Sequence, residues 1–81
     1  MESKTKELIA IGASVAANCI PCLNFHVKKA QDFGASQQEL IIASKIGLHV
    51  KAGAAEKVET HVSTMLSGFR EEKVEDICRC E

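Results

Sequence analysis

An all-α domain is the fold class the sequence predicts, on three observations. Ala, Leu, Glu, Lys and Gln, residues that lose little on entering a helix, fill the 81-residue chain. Nowhere do β-branched residues alternate with polar ones over the length of a strand. Breakers are few, and Pro21, Gly34, Gly53 and Gly68 stand where helix boundaries are expected.

The elements follow in order. A first helix is predicted from about Lys4 to Ala17, with Leu8, Ile11 and Val15 on one stripe and Ile9, Ala13 and Ala16 beside it. Asn18 interrupts it. Pro21 suits the first turn of a second helix, from about Ile20 to Phe33, because a first-turn residue has no intrahelical N–H bond to lose. Gly34 then fits the left-handed residue that ends a helix. Ser36-Gln37-Gln38-Glu39 reads as a capping box opening a third helix that runs to about Val50. Its run from Leu40 to Leu48 is apolar on most faces and belongs in the middle of a bundle or an oligomer. Lys51-Ala52-Gly53 reads as a break. A fourth helix from about Ala54 to Leu66 aligns Ala55, Val58, Val62, Met65 and Leu66, and Ser67-Gly68 ends it. The charged stretch from Phe69 to Glu81 reads as a short helix with a frayed end. No internal repeat or linker divides the chain, so residues 1–81 form a single domain of about four helices plus a short C-terminal segment.

Composition narrows the function classes. With 46% hydrophobic residues and a formal net charge of −1, the chain is neither disordered nor a bulk electrostatic binder of nucleic acid or anionic membrane. The run from Leu8 to Pro21 resembles a secretory apolar segment, but Gly12, Ser14 and Asn18 interrupt it. It is also shorter than the ~20 apolar residues that span a bilayer. It therefore reads as a helix of the mature protein in the cytoplasm, where thiols stay mostly reduced. So small a chain buries only about 60% of its unfolded surface, which leaves its own core marginal. Sister subunits are the expected remedy.

The chemistry concentrates in Cys19-Ile20-Pro21-Cys22-Leu23-Asn24-Phe25-His26. Both cysteines fall at a helix N-terminus, where unpaired N–H groups and the helix dipole favour a thiolate. Their spacing allows a disulfide across one turn. His26 stands four residues after Cys22, one turn further along the same face, where it can take the thiol proton. Glu7 is the candidate to orient it. A tight turn makes helices one and two antiparallel. Glu7 then lies about 15 Å down the first helix and His26 about 10 Å down the second, at ~1.5 Å per residue. Their side chains meet directly or through one water, and the carboxylate would hold the imidazole tautomer.

Glu7, Cys19-x-x-Cys22-x-x-x-His26, Ala30 and Gly34 together resemble the AhpD-like alkylhydroperoxidase branch of the carboxymuconolactone decarboxylase superfamily, over roughly Lys6 to His61. The resemblance implies an all-helical AhpD-like domain assembled as a homotrimer or homohexamer. It implies a thiol-dependent peroxidase or disulfide oxidoreductase with no cofactor. Carried over by position, Cys22 attacks the hydroperoxide, Cys19 resolves, His26 and Glu7 relay the proton, and a dithiol reductant protein recycles the disulfide. Some members carry a further histidine between the cysteines, where this chain has Ile20-Pro21, so one relay contact is missing. Decarboxylase members lack the paired cysteines, which makes lactone decarboxylation the weaker reading.

Other readings accompany these. Cys19 and Cys22 would otherwise be buried small hydrophobes at a helix start. Glu7 would be a solvated first-turn carboxylate, and His49 and His61 are structural or exposed. Cys78 and Cys80 are read as exposed tail thiols, an accessory dithiol, or two ligands of a zinc site completed by Cys19 and Cys22, with His26 as an alternative ligand. The rival to an enzyme is a non-catalytic helical oligomerisation module with a zinc- or thiol-based structural site.

Overall fold

The computed structural model describes residues 1–68, and within them every regular element is a helix. Helix α1 spans Ser3–Ala16, α2 spans Ile20–Asp32 and α3 spans Gln37–Met65. The all-α expectation therefore holds. The division into four helices does not. The third and fourth predicted helices are one continuous α3 of 29 residues, and the expected break at Lys51-Ala52-Gly53 is helical. A glycine costs a helix only about 1 kcal/mol relative to alanine, and no proline removes a hydrogen bond there. Alanines on both sides of Gly53 carry the helix across it. The predicted short helix from Phe69 to Glu81 lies outside the described residues.

Both turns end in the same way. Asn18, at φ 60°, takes the left-handed conformation after α1, and Gly34, at φ 90°, takes it after α2. At the first turn the Asn18 N–H donates to the Val15 carbonyl at 3.1 Å and the Cys19 N–H to the Ser14 carbonyl at 2.9 Å. At the second, the Gly34 N–H donates to Gln31 at 3.0 Å and the Ala35 N–H to Ala30 at 2.9 Å. These paired bonds satisfy helix-end carbonyls and reverse the chain in few residues. Glycine takes the left-handed region without a Cβ clash, and asparagine is among the few other residues that visit it routinely. The capping box forms as expected: the Glu39 N–H donates to Ser36 Oγ at 3.1 Å, and the Ser36 N–H donates to Glu39 Oε1 at 2.8 Å.

Helix α1 lies between the other two and packs on both. Ile11, fully buried, is at the centre with Ala30 of α2 and Ala43 of α3, and Leu8, Leu23, Val27, Ala35 and Leu40 surround them. Of the two places expected for the apolar third helix, the middle of the bundle is taken by α1, which leaves the oligomer. Within the chain, Ala43 and Gly47 are the buried residues of α3, while Ile41, Ile42, Ile46 and Leu48 are exposed. The α1–α3 crossing is close because two glycines meet there. A Cβ on Gly47 would overlap the Gly12 carbonyl oxygen and stand 2.8 Å from Val15 Cβ, and a Cβ on Gly12 would stand 3.3 Å from the Ala43 carbonyl. No described helix is long and apolar enough to cross a membrane.

Candidate active site

The first turn places Cys19. Its N–H closes the end of α1, and its carbonyl accepts the Leu23 N–H at 3.0 Å in the first turn of α2. Its sulfur caps α2, accepting the Cys22 N–H at 3.2 Å, a part usually played by a serine or aspartate oxygen. Pro21 sits in the first helical turn, as its fixed φ favours. With their Cα atoms 5.2 Å apart, Cys19 and Cys22 are joined as a disulfide. The two residues differ in exposure: Cys19 is half-buried and Cys22 is exposed.

His26 lies one turn beyond Cys22, on the α2 surface facing α1. There its Nδ1 meets Glu7 Oε1 at 2.7 Å, joining residues 19 apart in sequence. Both side chains are largely covered, at 28% and 18% exposed, so the contact is better shielded than a surface ion pair. A carboxylate at Nδ1 requires the N–H on that nitrogen. In the neutral ring Nε2 is then left with its lone pair. The Phe25 ring stands edge-on to the imidazole at a centroid distance of 5.1 Å. The site thus has a disulfide-bonded cysteine pair at a helix start and, one turn further along, an imidazole held by a carboxylate.

The sequence assigns all four residues to one site; the structure joins them as two pairs, Cys19 with Cys22 at the turn and Glu7 with His26 one helical turn further along α2. Glu7 is not a solvated first-turn carboxylate, and its contact with His26 is direct. His49 and His61 are exposed. Cys78 and Cys80 lie outside the described residues, and so does the four-cysteine zinc site. Among the described residues no three His, Cys, Asp or Glu side chains gather as metal ligands. Sequence reasoning missed the tie between Lys51 and the cysteine turn. The Lys51 ammonium donates to Asn18 Oδ1 at 2.7 Å across 33 residues. No local pattern signals a contact of that separation.

Fold and site together define a small all-helical domain with a disulfide-forming cysteine pair at a helix N-terminus. The chain belongs to the carboxymuconolactone decarboxylase family, which it matches over residues 1–62. It is 33% identical over 55 residues to uncharacterized protein 4 in the cox locus of Paracoccus denitrificans, an alignment covering 68% of this chain and 50% of that protein. The chain therefore spans half the length of the curated relative it matches. No solved structure matches it.

Proposed function

We propose that the protein is a thiol-dependent peroxidase or disulfide oxidoreductase of the AhpD type working at Cys19 and Cys22. The observation that carries this reading is the Glu7–His26 contact at 2.7 Å, one helical turn from a cysteine pair already joined as a disulfide. A structural cross-link needs no oriented base. A cysteine nucleophile does, because the thiolate is the reactive form.

In the reduced protein, His26 Nε2 takes the Cys22 thiol proton, with Glu7 holding the imidazolium. The thiolate attacks one oxygen of a hydroperoxide ROOH, forming S–O and breaking O–O. The departing alkoxide takes the proton back from His26 and leaves as ROH, and Cys22 is a sulfenic acid. Cys19 attacks that sulfur, the disulfide forms and water leaves. An external dithiol then supplies two electrons and two protons to restore both thiols. Exposed Cys22 suits the attacking role and half-buried Cys19 the resolving role. A reducing cytoplasm would keep the cycle running.

The same reading gives α3 a partner. Val58, Val62, Met65 and Leu66 are all exposed, and sister copies assembled as a trimer or hexamer would cover them. Stable monomer in sedimentation at micromolar concentration overturns that assembly.

The chemistry is tested by adding one equivalent of hydroperoxide to reduced protein and counting thiols. Wild type is expected to lose two thiols quickly, with Cys19 linked to Cys22. Cys22→Ser is expected to show little fast reaction. Equal, slow oxidation of both proteins overturns the enzyme reading. His26→Ala is expected to slow the reaction about a hundredfold near neutral pH, within the range for one general base. That deficit is expected to shrink as pH rises toward ~8.5, where an ordinary thiol ionises unaided. A deficit constant across pH contradicts the relay.

A further inference from the structure

A pocket of about 270 Å³ opens beside Cys19, whose sulfur is bonded to that of Cys22. Val15, Leu23 and Leu48 supply apolar wall from all three helices, and Ser14, Asn18, Ser44 and Lys51 supply the polar part, with the Ser14 hydroxyl donating to the Ala10 carbonyl at 2.7 Å. The size falls just below the roughly 300–1,000 Å³ of ligand cavities and suits only a short molecule.

The polar part has an uneven inventory. The Ser44 hydroxyl donates to the Leu40 carbonyl at 2.9 Å, so its proton is committed to its own helix. Lys51 is half-buried, yet its ammonium meets only the neutral amide oxygen of Asn18, and no ion pair involves it among the described residues. An ammonium carries three donors, and Asn18 accepts one. The Lys51 contact fixes the Asn18 oxygen toward the ammonium and leaves the NH₂ group as a donor for a ligand. This contact is open to solvent, and the ammonium keeps donors to spare for an anion entering the pocket.

We propose that this pocket binds a small apolar molecule carrying one carboxylate, with Lys51 as the anion contact, Asn18 as a second donor and the hydrocarbon body against Val15, Leu23 and Leu48. The proposal deepens the peroxidase reading and rests on it for the ligand's reactive group: the favoured substrate is a short hydroperoxide bearing a carboxylate. Lys51 is then a specificity-determining residue for a site whose chemistry belongs to the cysteines.

Hexanoate and 1-hexanol, which share a chain and differ in charge, are titrated into the oxidised full chain while amide NMR signals are followed. Hexanoate is expected to shift Cys19, Leu23 and Lys51 and to bind about tenfold more tightly than hexanol, the worth of one hydrogen bond to a charged group. Lys51→Met, which keeps the stem and removes the charge, is expected to abolish the preference, and Lys51→Arg to retain it. Equal affinity for the two probes in wild type overturns the proposal, whatever the variants do. So does a preference that survives in Lys51→Met, or shifts confined to the larger apolar groove of about 540 Å³ at Ile9, Ile42 and Ile46. Peroxide turnover is measured separately with cumene hydroperoxide, which carries no carboxylate. Absent reaction of the reduced protein with both cumene hydroperoxide and a hydroperoxide of a short carboxylic acid, together with a Lys51-dependent hexanoate preference, overturns the peroxidase reading and leaves the anion pocket standing.

Discussion

The two halves of α3 carry similar apolar patterns and meet different fates. From Leu40 to Lys51 the helix lies against α1, with Ala43 and Gly47 buried and Lys51 tied to Asn18. From Ala52 to Met65 every residue is exposed, although Val58, Val62 and Met65 repeat at helical spacing. What separates the halves is cover, because α1 ends near the level of Lys51 and nothing described continues beside the second half. A hydrophobic stripe shows only that a face is to be buried. Its partner is set by the three-dimensional path of the rest of the chain.

The largest expected effect comes from charging the uncovered stripe. Val62→Asp would place a carboxylate in the proposed contact between copies and weaken association by ~3 kcal/mol, about a hundredfold. The same change should alter the subunit's own stability by less than about 0.5 kcal/mol, since the site is already exposed. Equilibrium sedimentation and urea titration separate the two. A large loss of subunit stability with assembly intact would show that the second half is covered within the chain.

Next in size is a pair of identical substitutions in one helix. Gly47→Ala drives a Cβ into the Gly12 carbonyl, a backbone atom that cannot turn aside, and is expected to cost about 2–3 kcal/mol. Gly53→Ala meets no atom within 4 Å and is expected to stabilise by about 0.5–1 kcal/mol through helix propensity. Urea midpoints give both signs. Equal effects at the two glycines would erase the distinction between the halves.

That pair also marks what was legible beforehand. The capping box at Ser36, the left-handed Gly34, the first-turn Pro21 and the depth match of Glu7 with His26 all follow from spacings within one or two elements, and all are present. The break expected at Lys51-Ala52-Gly53 came from giving one glycine the force of a terminus, which its ~1 kcal/mol cost does not have. The facing of Gly12 with Gly47 and the reach of Lys51 to Asn18 depend on how α1 and α3 cross. No local period encodes that crossing, so the pocket beside Cys19 emerged only with the fold.

The smallest effect concerns how the covered half of α3 is held at its start. The Ser36 N–H, and then the Lys4 ammonium 3.2 Å from the other oxygen, stabilise the Glu39 carboxylate and hold its pKa below the ordinary value near 4.5. Folding therefore favours the ionised form, and the unfolded chain binds more protons as pH falls through this range. The resulting stability is fully present above 4.5 and is lost as pH falls through the lowered folded value. Glu39→Gln keeps the capping box, because a glutamine oxygen can accept the Ser36 N–H, but it cannot titrate. Its urea midpoint should then decline less than that of wild type below pH 4.5, with the two curves parallel above it. Because Lys4 belongs to α1, Lys4→Met should flatten the acid limb part of the way, by less than Glu39→Gln. If Lys4→Met flattened it as fully as Glu39→Gln, the tie between helices would outweigh the cap as the source of the lowered pKa.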